Sequence, residues 1–383
     1  MKKNLAIIIS QLSGGGAERV ASNLSIYLPD KEYNKFIIVF DGENITYPYN
    51  GELINLETKA TSNPLGKIKN FVERIYKLRK IKKQYNIHIS ISLLSGPNVI
   101  NILVKRNDKV IISVRNFMSK SSKGFYGRIY KLLIKLLYNK ADIIVSVSQA
   151  IKYDLVKNFR IDESKIKVIY NFYDIEKIRE LAKEEIEDEF KPIFRNPTII
   201  TMGRLSTQKG QWHLIRAFKK VKQQIPNAKL VILGQGELED YLKKLAFNLG
   251  IANDVYFLGF KKNPFKYISK ATVYAFPSLY EGFPNALCEA MACGIPVISA
   301  DCKSGPREIL APNTNIDIQT KVIEYAEYGI LVPVCDGKMY DYNKELTEQE
   351  IILCESIISL LENQNILKKY SEKAVERIQD LKE

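Results

Sequence analysis

Residues 281–297 read Glu281-Gly-Phe-Pro-Asn-Ala-Leu-Cys-Glu289-Ala-Met-Ala-Cys-Gly294-Ile-Pro-Val297, which sets two carboxylates eight positions apart around a turn that leads into a helix. The apolar run 272–277 reads as a buried strand, Gly282 and Pro284 as loop residues, 286–292 as a helix and 295–300 as the next strand, forming one βαβ unit. Backbone N–H groups of Phe283, Asn285 and Ala286, at the start of that helix, are donors at the positive end of its dipole and suit a diphosphate. Glu281, before the turn, is placed to accept hydrogen bonds from sugar hydroxyls. Glu289, two turns into the helix, is placed to reach a ribose. Acidic residues near a helix start also simply complement its dipole, so the pair gains its meaning from the rest of the chain.

Strand-like runs alternate with helical ones on both sides of this unit. Residues 5–10, 36–40, 88–93, 110–114 and 142–147 read as strands in the first half, and 198–203, 229–234, 255–259, 272–277, 296–300 and 330–333 in the second. Such alternation predicts parallel sheets covered by helices, and 383 residues exceed the usual size of one core. The expected fold is α/β, with two doubly wound Rossmann-like domains facing each other across a cleft that holds the ligand at the carboxyl ends of the strands. The first domain is expected over 1–183 and an acidic linker over 184–196. A second domain is expected over 197–365, and a last helix over 366–383 returns toward the first domain.

Composition narrows the setting. No apolar run approaches the length of a membrane span. The opening Met1-Lys-Lys-Asn-Leu-Ala-Ile-Ile-Ile-Ser runs into glycines without a small-residue cleavage site, so it reads as a strand rather than a signal peptide. Five cysteines without Cys-x-x-Cys spacing suggest reduced thiols and a cytoplasmic location. Residues 1–170 carry 29 Lys and Arg against 13 Asp and Glu, whereas the remainder is nearly neutral. Eight basic residues and one acid occupy 67–83, with Ile68, Phe71, Val72, Ile75, Leu78 and Ile81 at helical spacing, and six basic residues without an acid occupy 120–140. Helices of this kind suit the anionic inner face of a cell membrane; a solvated charged face over an ordinary buried stripe explains the same pattern. No nucleic-acid motif accompanies the charge, so nucleic acid is not expected as a partner.

Further motifs fall at strand ends. Ser13-Gly14-Gly15-Gly16-Ala17-Glu18 follows the first strand and opens a helix, letting Gly15 and Gly16 bring backbone close to a phosphate or sugar, although the dinucleotide Gly-x-Gly-x-x-Gly spacing is not met. In Gly203-Arg204-Leu-Ser-Thr-Gln-Lys209-Gly210, Arg204 and Lys209 are placed to neutralise a diphosphate together. Leu233-Gly-Gln-Gly-Glu237 and Leu258-Gly-Phe260-Lys-Lys262 offer backbone groups and, in Phe260, an aromatic wall for a nucleobase. No Asp-x-Asp occurs and no His/Cys cluster has metal-ligand spacing. A reaction without metal or other cofactor is therefore expected.

The order of these motifs, ending in Pro277-Ser-x2-Glu281-Gly-Phe-Pro-Asn-x3-Glu289-Ala-Met-Ala-x-Gly294-x-Pro-Val, resembles the retaining glycosyltransferases of family four, which have the GT-B fold. The resemblance covers nearly the whole chain. It implies a nucleotide-sugar donor held mainly by the second domain and a glycan or polyprenyl-diphosphate-linked acceptor held by the first. Arg204 and Lys209 would hold the donor phosphates, Glu281 the sugar hydroxyls and Glu289 the ribose. The stretches Asp301-Cys-Lys-Ser-Gly305-Pro-Arg-Glu-Ile-Leu310 and 324–333 resemble a branch associated with bacterial capsule, O-antigen and related surface glycans, which often uses UDP-linked sugars. Many family members place a histidine after a central strand of the first domain; here that stretch reads Ile112-Ser-Val-Arg115-Asn116, so Arg115 is the candidate to bond the sugar or stabilise phosphate. The only histidines, His88 and His213, are expected to be structural. A nucleotide-sugar epimerase of similar architecture would need histidine and carboxylate acid–base groups. A non-catalytic sugar-nucleotide-binding partner would keep these motifs with misplaced cleft residues.

Overall fold

In the computed structural model, which describes residues 2–119 and 124–381 and omits the side chains of 124–130, the chain divides into two compact units, Met1–Asn171 and Phe172–Glu383. The unbroken apolar run at the start of the chain forms β1 (Lys3–Ile9), whose residues from Leu5 onward are buried on both faces, as a central strand of a parallel sheet requires. Around it are β2 (Tyr33–Val39), β3 (Glu52–Asn55), β4 (Ile89–Leu93), β5 (Lys109–Val114), β6 (Ile143–Ser146) and β7 (Ile166–Val168). Their order is β3-β2-β1-β4-β5-β6-β7, all parallel. The helices of this unit are α1 (Gly16–Tyr27), α2 (Pro64–Gln84), α3 (Ser95–Leu103), α4 (Gly124–Leu137) and α5 (Gln149–Phe159). One face of the sheet packs Ile8, Ile38 and Phe40 against Leu78 of α2 and Ile100 of α3, and the other packs Ile7, Ile9 and Ile37 against Ala17 and Ala21 of α1.

The second unit repeats the plan. α6 (Ile175–Ala182) precedes β8 (Thr198–Met202), α7 (Gln211–Gln224), β9 (Lys229–Leu233), α8 (Glu239–Asn248), β10 (Val255–Gly259), α9 (Phe265–Ile268) and β11 (Val273–Phe276). Then come α10 (Asn285–Ala292), β12 (Val297–Ala300), α11 (Pro306–Leu310), β13 (Glu324–Tyr325), β14 (Ile330–Val332), α12 (Glu348–Glu362) and α13 (Gln364–Asp380). The strand order is β10-β9-β8-β11-β12-β14-β13, parallel throughout except for the β13–β14 pair. Both sheets are therefore doubly wound, as expected. Each reverses its winding beside its first strand, at β1/β4 and at β8/β11, and the carboxyl ends there are the places where such sheets hold ligands.

One boundary differs from expectation. The units meet at 171/172 rather than at a linker over 184–196, because α6 packs on α9 and α10 and the acidic stretch is docked on the second unit. Asn263 Nδ2 donates to Leu181 O at 2.8 Å, and the Tyr267 hydroxyl donates to Glu187 Oε2 at 2.6 Å. That bond, reinforced by Lys266, holds the Glu187 carboxyl down at about 2. The last helix is built onto the second unit. α13 packs on α10 and α12, with Arg377 donating to the Ile309 and Glu308 carbonyls at 2.8 Å each.

Candidate active site

The carboxyl ends of β8 and β11 carry the two motifs that the sequence singled out. After β8 the chain makes a short turn at Thr207–Lys209 and reverses through Gly210, whose positive φ of 61° lets it sit against the Pro277 carbonyl, 2.7 Å from where a Cβ would lie. Leu279 N donates to Gln208 O and Gln208 Nε2 to Tyr280 O, each at 2.9 Å. These bonds lace the two strand-end turns together. Lys209 Nζ thereby reaches Glu281 Oε1 at 2.6 Å, with its ammonium 5.1 Å from the ring centre of Phe276. The Lys209 side chain is 19% exposed and that of Glu281 8%, so the pair is largely removed from water.

The turn after Glu281 is held from the other side. Glu281 N donates to Lys303 O, and Ser304 returns a bond from its amide to Glu281 O, both at 3.0 Å, and one from its hydroxyl to Gly282 O at 2.5 Å. Gly282, Phe283 and Pro284 are buried, while Asn285 and Ala286, the first residues of α10, are partly open to solvent. No side chain caps that helix start, and Asn285 Oδ1 accepts from the Tyr173 hydroxyl at 3.0 Å. Glu289 is buried on α10. Tyr274 lies within the field of both carboxylates: burial pushes its phenol well above its ordinary value, Glu289 and Glu281 push it further, and its hydroxyl donates to Met202 O at 3.2 Å.

Arg204, the other cation of that motif, makes a contact of its own. Its side chain is 75% exposed and pairs with Glu237 at 3.5 Å. The glycines of the neighbouring loop bring that partner close. A Cβ on Gly234 would fall 2.0 Å from Gly203 O, and one on Gly236 2.3 Å from Leu205 O, so only glycine lets the 234–237 loop lie on the Arg204 turn. Phe260, beyond β10, presents an exposed ring next to this loop, whose Gly234 N donates to Gly259 O at 2.8 Å.

In the first unit, Gly15 precedes α1 and Gly16 opens it. A Cβ on Gly15 would lie 2.0 Å from Glu18 Oε2, so the Glu18 side chain folds back over the glycine turn. Burial raises the Glu18 carboxyl above its ordinary value, against the opposing pull of its own backbone amide and of Arg115. Arg115, directly after β5, donates from Nη2 to the buried Asn171 Oδ1 at 2.6 Å. The carboxyl edge of this sheet thus gathers Gly15, Gly16, Glu18, Arg115 and Asn171. Neither Glu18 nor Asn171 had been assigned a role. The signal for Glu18 was its place two residues after the glycines, and that for Asn171 its place after a strand too short to be recognised.

Both histidines make structural contacts. His88 Nδ1 accepts from Asn4 N at 3.1 Å just before β4, and His213 on α7 is fully buried with Nδ1 2.8 Å from Glu350 Oε1. All five cysteines are free, and burial lifts Cys288 and Cys293 to about 12.

Residues 14–177 match the family described as Glycosyltransferase Family 4, and residues 182–327 the family described as Glycosyl transferases group 1. An uncharacterized glycosyltransferase of Methanocaldococcus jannaschii is 38% identical over 92% of this chain and 90% of its own length. The N-acetylgalactosamine-N,N'-diacetylbacillosaminyl-diphospho-undecaprenol 4-alpha-N-acetylgalactosaminyltransferase of Campylobacter jejuni is 32% identical over 98% of this chain and 94% of its own. The crystal structure of HepE from Anabaena in complex with UDP superposes with a TM-score of 0.72 at 19% identity, covering 100% of this chain and 97% of that one, a likeness of fold. The chain therefore belongs to the family-four glycosyltransferases and has the GT-B fold.

Proposed function

We propose that this glycosyltransferase moves a hexose or N-acetylhexosamine from a UDP-linked donor to a glycan or polyprenyl-diphosphate-linked acceptor, with retention of configuration and without a metal ion, in the synthesis of a bacterial surface polysaccharide. The observation that carries the reading is the Lys209–Glu281 contact at the β8/β11 switch, where a cation for the leaving diphosphate touches a carboxylate for the sugar. The Campylobacter relative, whose name specifies a diphospho-undecaprenol acceptor and an α-linked product, supports the acceptor class and the stereochemistry.

The donor diphosphate takes Lys209, the solvent-facing Arg204 and the backbone N–H groups at the start of α10, which meet the charge that grows as the nucleotide departs. Glu281 orients the sugar hydroxyls, Glu289 the ribose, and Phe260 with the 234–237 loop the base. Attack comes from the face the nucleotide leaves. The acceptor oxygen bonds to the anomeric carbon as the bond to the phosphate oxygen breaks, the electron pair leaves with UDP, and the acceptor proton passes to that phosphate oxygen. Arg115, steadied by Asn171 and balanced by Glu18, hydrogen-bonds the transferred sugar or its phosphate. The test is incubation with a panel of UDP- and GDP-sugars, scored for nucleotide release with and without a polyprenyl-diphosphate-linked acceptor. Release from no donor, or release unaffected by acceptor, overturns the proposal.

A further inference from the structure

α2 is apolar on two sides. Its inner side carries Ile75, Leu78 and Ile81 into the core, and Lys82 Nζ is buried there against Asp108 Oδ2 at 2.7 Å. Arg74 holds the same side to the preceding loop through Thr58. The opposite side carries Leu65, Ile68, Val72 and Tyr76, at 76%, 63%, 59% and 69% exposure. Their spacing of three, four and four residues places them in one stripe along about 16 Å of helix. Lys69, Arg79, Lys80 and Lys83 share that outer side and are exposed. The helix's one acid, Glu73, is half-buried and paired with Lys77 at 2.8 Å.

We infer that this outer face of α2 is the surface by which the enzyme lies on an anionic lipid bilayer. An apolar stripe flanked by cations and lacking carboxylates matches a headgroup layer over acyl chains. A second copy of the same face would oppose four cations to four cations. No helix among the described residues is long and apolar enough to cross a membrane. Because α2 starts from the loop that leaves the carboxyl end of β3, its N-terminal end lies on the same carboxyl edge of the sheet as Gly15, Gly16 and Arg115. The inference deepens the proposed function and rests on it, in that a lipid-borne acceptor would be presented at that edge.

The test is flotation of the full chain with phosphatidylcholine vesicles, with and without phosphatidylglycerol, at low and high salt. The wild type floats with the mixed vesicles and detaches as salt rises. Ile68→Asp with Val72→Asp lowers that partition about tenfold or more, while Lys69→Gln, Lys80→Gln and Lys83→Gln together remove the preference for phosphatidylglycerol. Both variants keep the wild-type Tm and the wild-type rate on a short water-soluble acceptor. Flotation unchanged in both variants overturns the inference, as does a wild type that floats with neither vesicle. A dimer by light scattering that Ile68→Asp dissociates, or tight salt-sensitive binding to heparin without flotation, assigns the face to another partner and overturns it too. Flotation as expected with no nucleotide released from any donor supports this docking face and overturns the transfer reaction instead.

Discussion

Lys209 Nζ and Glu281 Oε1 lie 2.6 Å apart, although 72 residues separate them in sequence. Each side chain issues from its own strand-end turn, and the two turns are tied by one backbone bond, Leu279 N to Gln208 O, and one from the Gln208 side chain to Tyr280 O, so the pair measures whether β8 and β11 are correctly registered at their carboxyl ends. Replacing either partner by Ala leaves the other charge largely buried and unpaired, at an expected cost of about 1–3 kcal/mol in stability. The double variant should lose less than the sum of the two. Denaturant unfolding of all four proteins checks this; strict additivity would mean that the two charges are uncoupled in solution. Lys209→Ala should also weaken donor use by about 2–4 kcal/mol in kcat/KM.

Arg204 gives the contrasting case. Its pair with Glu237 is exposed, and exposed pairs contribute little to folding. Arg204→Ala should therefore leave the Tm unchanged while weakening donor use to an extent similar to Lys209→Ala. Unchanged kinetics would confine Arg204 to the surface pair.

The sheets were legible in the sequence because their central strands are long apolar runs, and every strand expected from such a run is present. The three that escaped notice, Glu52–Asn55, Ile166–Val168 and Glu324–Tyr325, all lie at sheet edges. Edge strands have one hydrogen-bonding neighbour and tolerate short, half-polar sequences, which periodicity does not register. The acidic stretch 184–196 looked like a linker for a related reason: its charge is real, but the partners that dock it, such as Tyr267 for Glu187, lie some 80 residues away. Motif order singled out Lys209, Glu281 and Glu289 as candidates. That Lys209 pairs with Glu281 while Arg204 turns to Glu237 depends on strand order and on which backbone Gly234 and Gly236 lie against; the glycines themselves are plain in the sequence, but these long-range approaches are not encoded locally.

Acid should loosen the second unit through Glu350. Burial pushes its carboxyl up, but hydrogen bonds from His213, Arg216 and the Thr347 amide outweigh that effect and leave the value below the ordinary one. A carboxylate depressed on folding contributes stability that is fully present above its unfolded value, about 4.3, and is lost as pH falls through its lower folded value. Tm measured from pH 7 down to about 3 should fall in that acid window. In Glu350→Gln the Tm should start lower and fall less steeply, because the proton-linked part is gone. Parallel curves for the two proteins would assign the acid sensitivity to other groups.

Activity should survive EDTA. In the proposed reaction Lys209, Arg204 and backbone donors carry the charge of the departing diphosphate, so chelation should remove nothing that reaction needs. Complete loss restored by Mg²⁺ or Mn²⁺ would show that these residues are insufficient.

Glu281 and Glu289 should separate kinetically. Glu289 is buried on α10, and in its proposed role as ribose ligand it would make a contact that is the same before and during transfer. Removing such a contact weakens binding of ground and transition states alike, so Glu289→Ala should chiefly raise the donor KM. Glu281 precedes the turn and, in its proposed role as ligand of the sugar hydroxyls, would align the anomeric carbon with the incoming oxygen. An alignment contact matters most as the bond to phosphate breaks, so Glu281→Ala should chiefly lower kcat. Because Glu281→Ala also frees Lys209 from its partner, Glu281→Gln is the cleaner comparison: it keeps a hydrogen-bonding side chain and should fall between the wild type and Glu281→Ala in kcat. Nucleotide-release kinetics on the three variants, with the product's anomeric configuration read by NMR, decide the assignment. A Glu281→Ala enzyme of normal kcat, or an inverted product from an α-linked donor, would require a different role for this carboxylate.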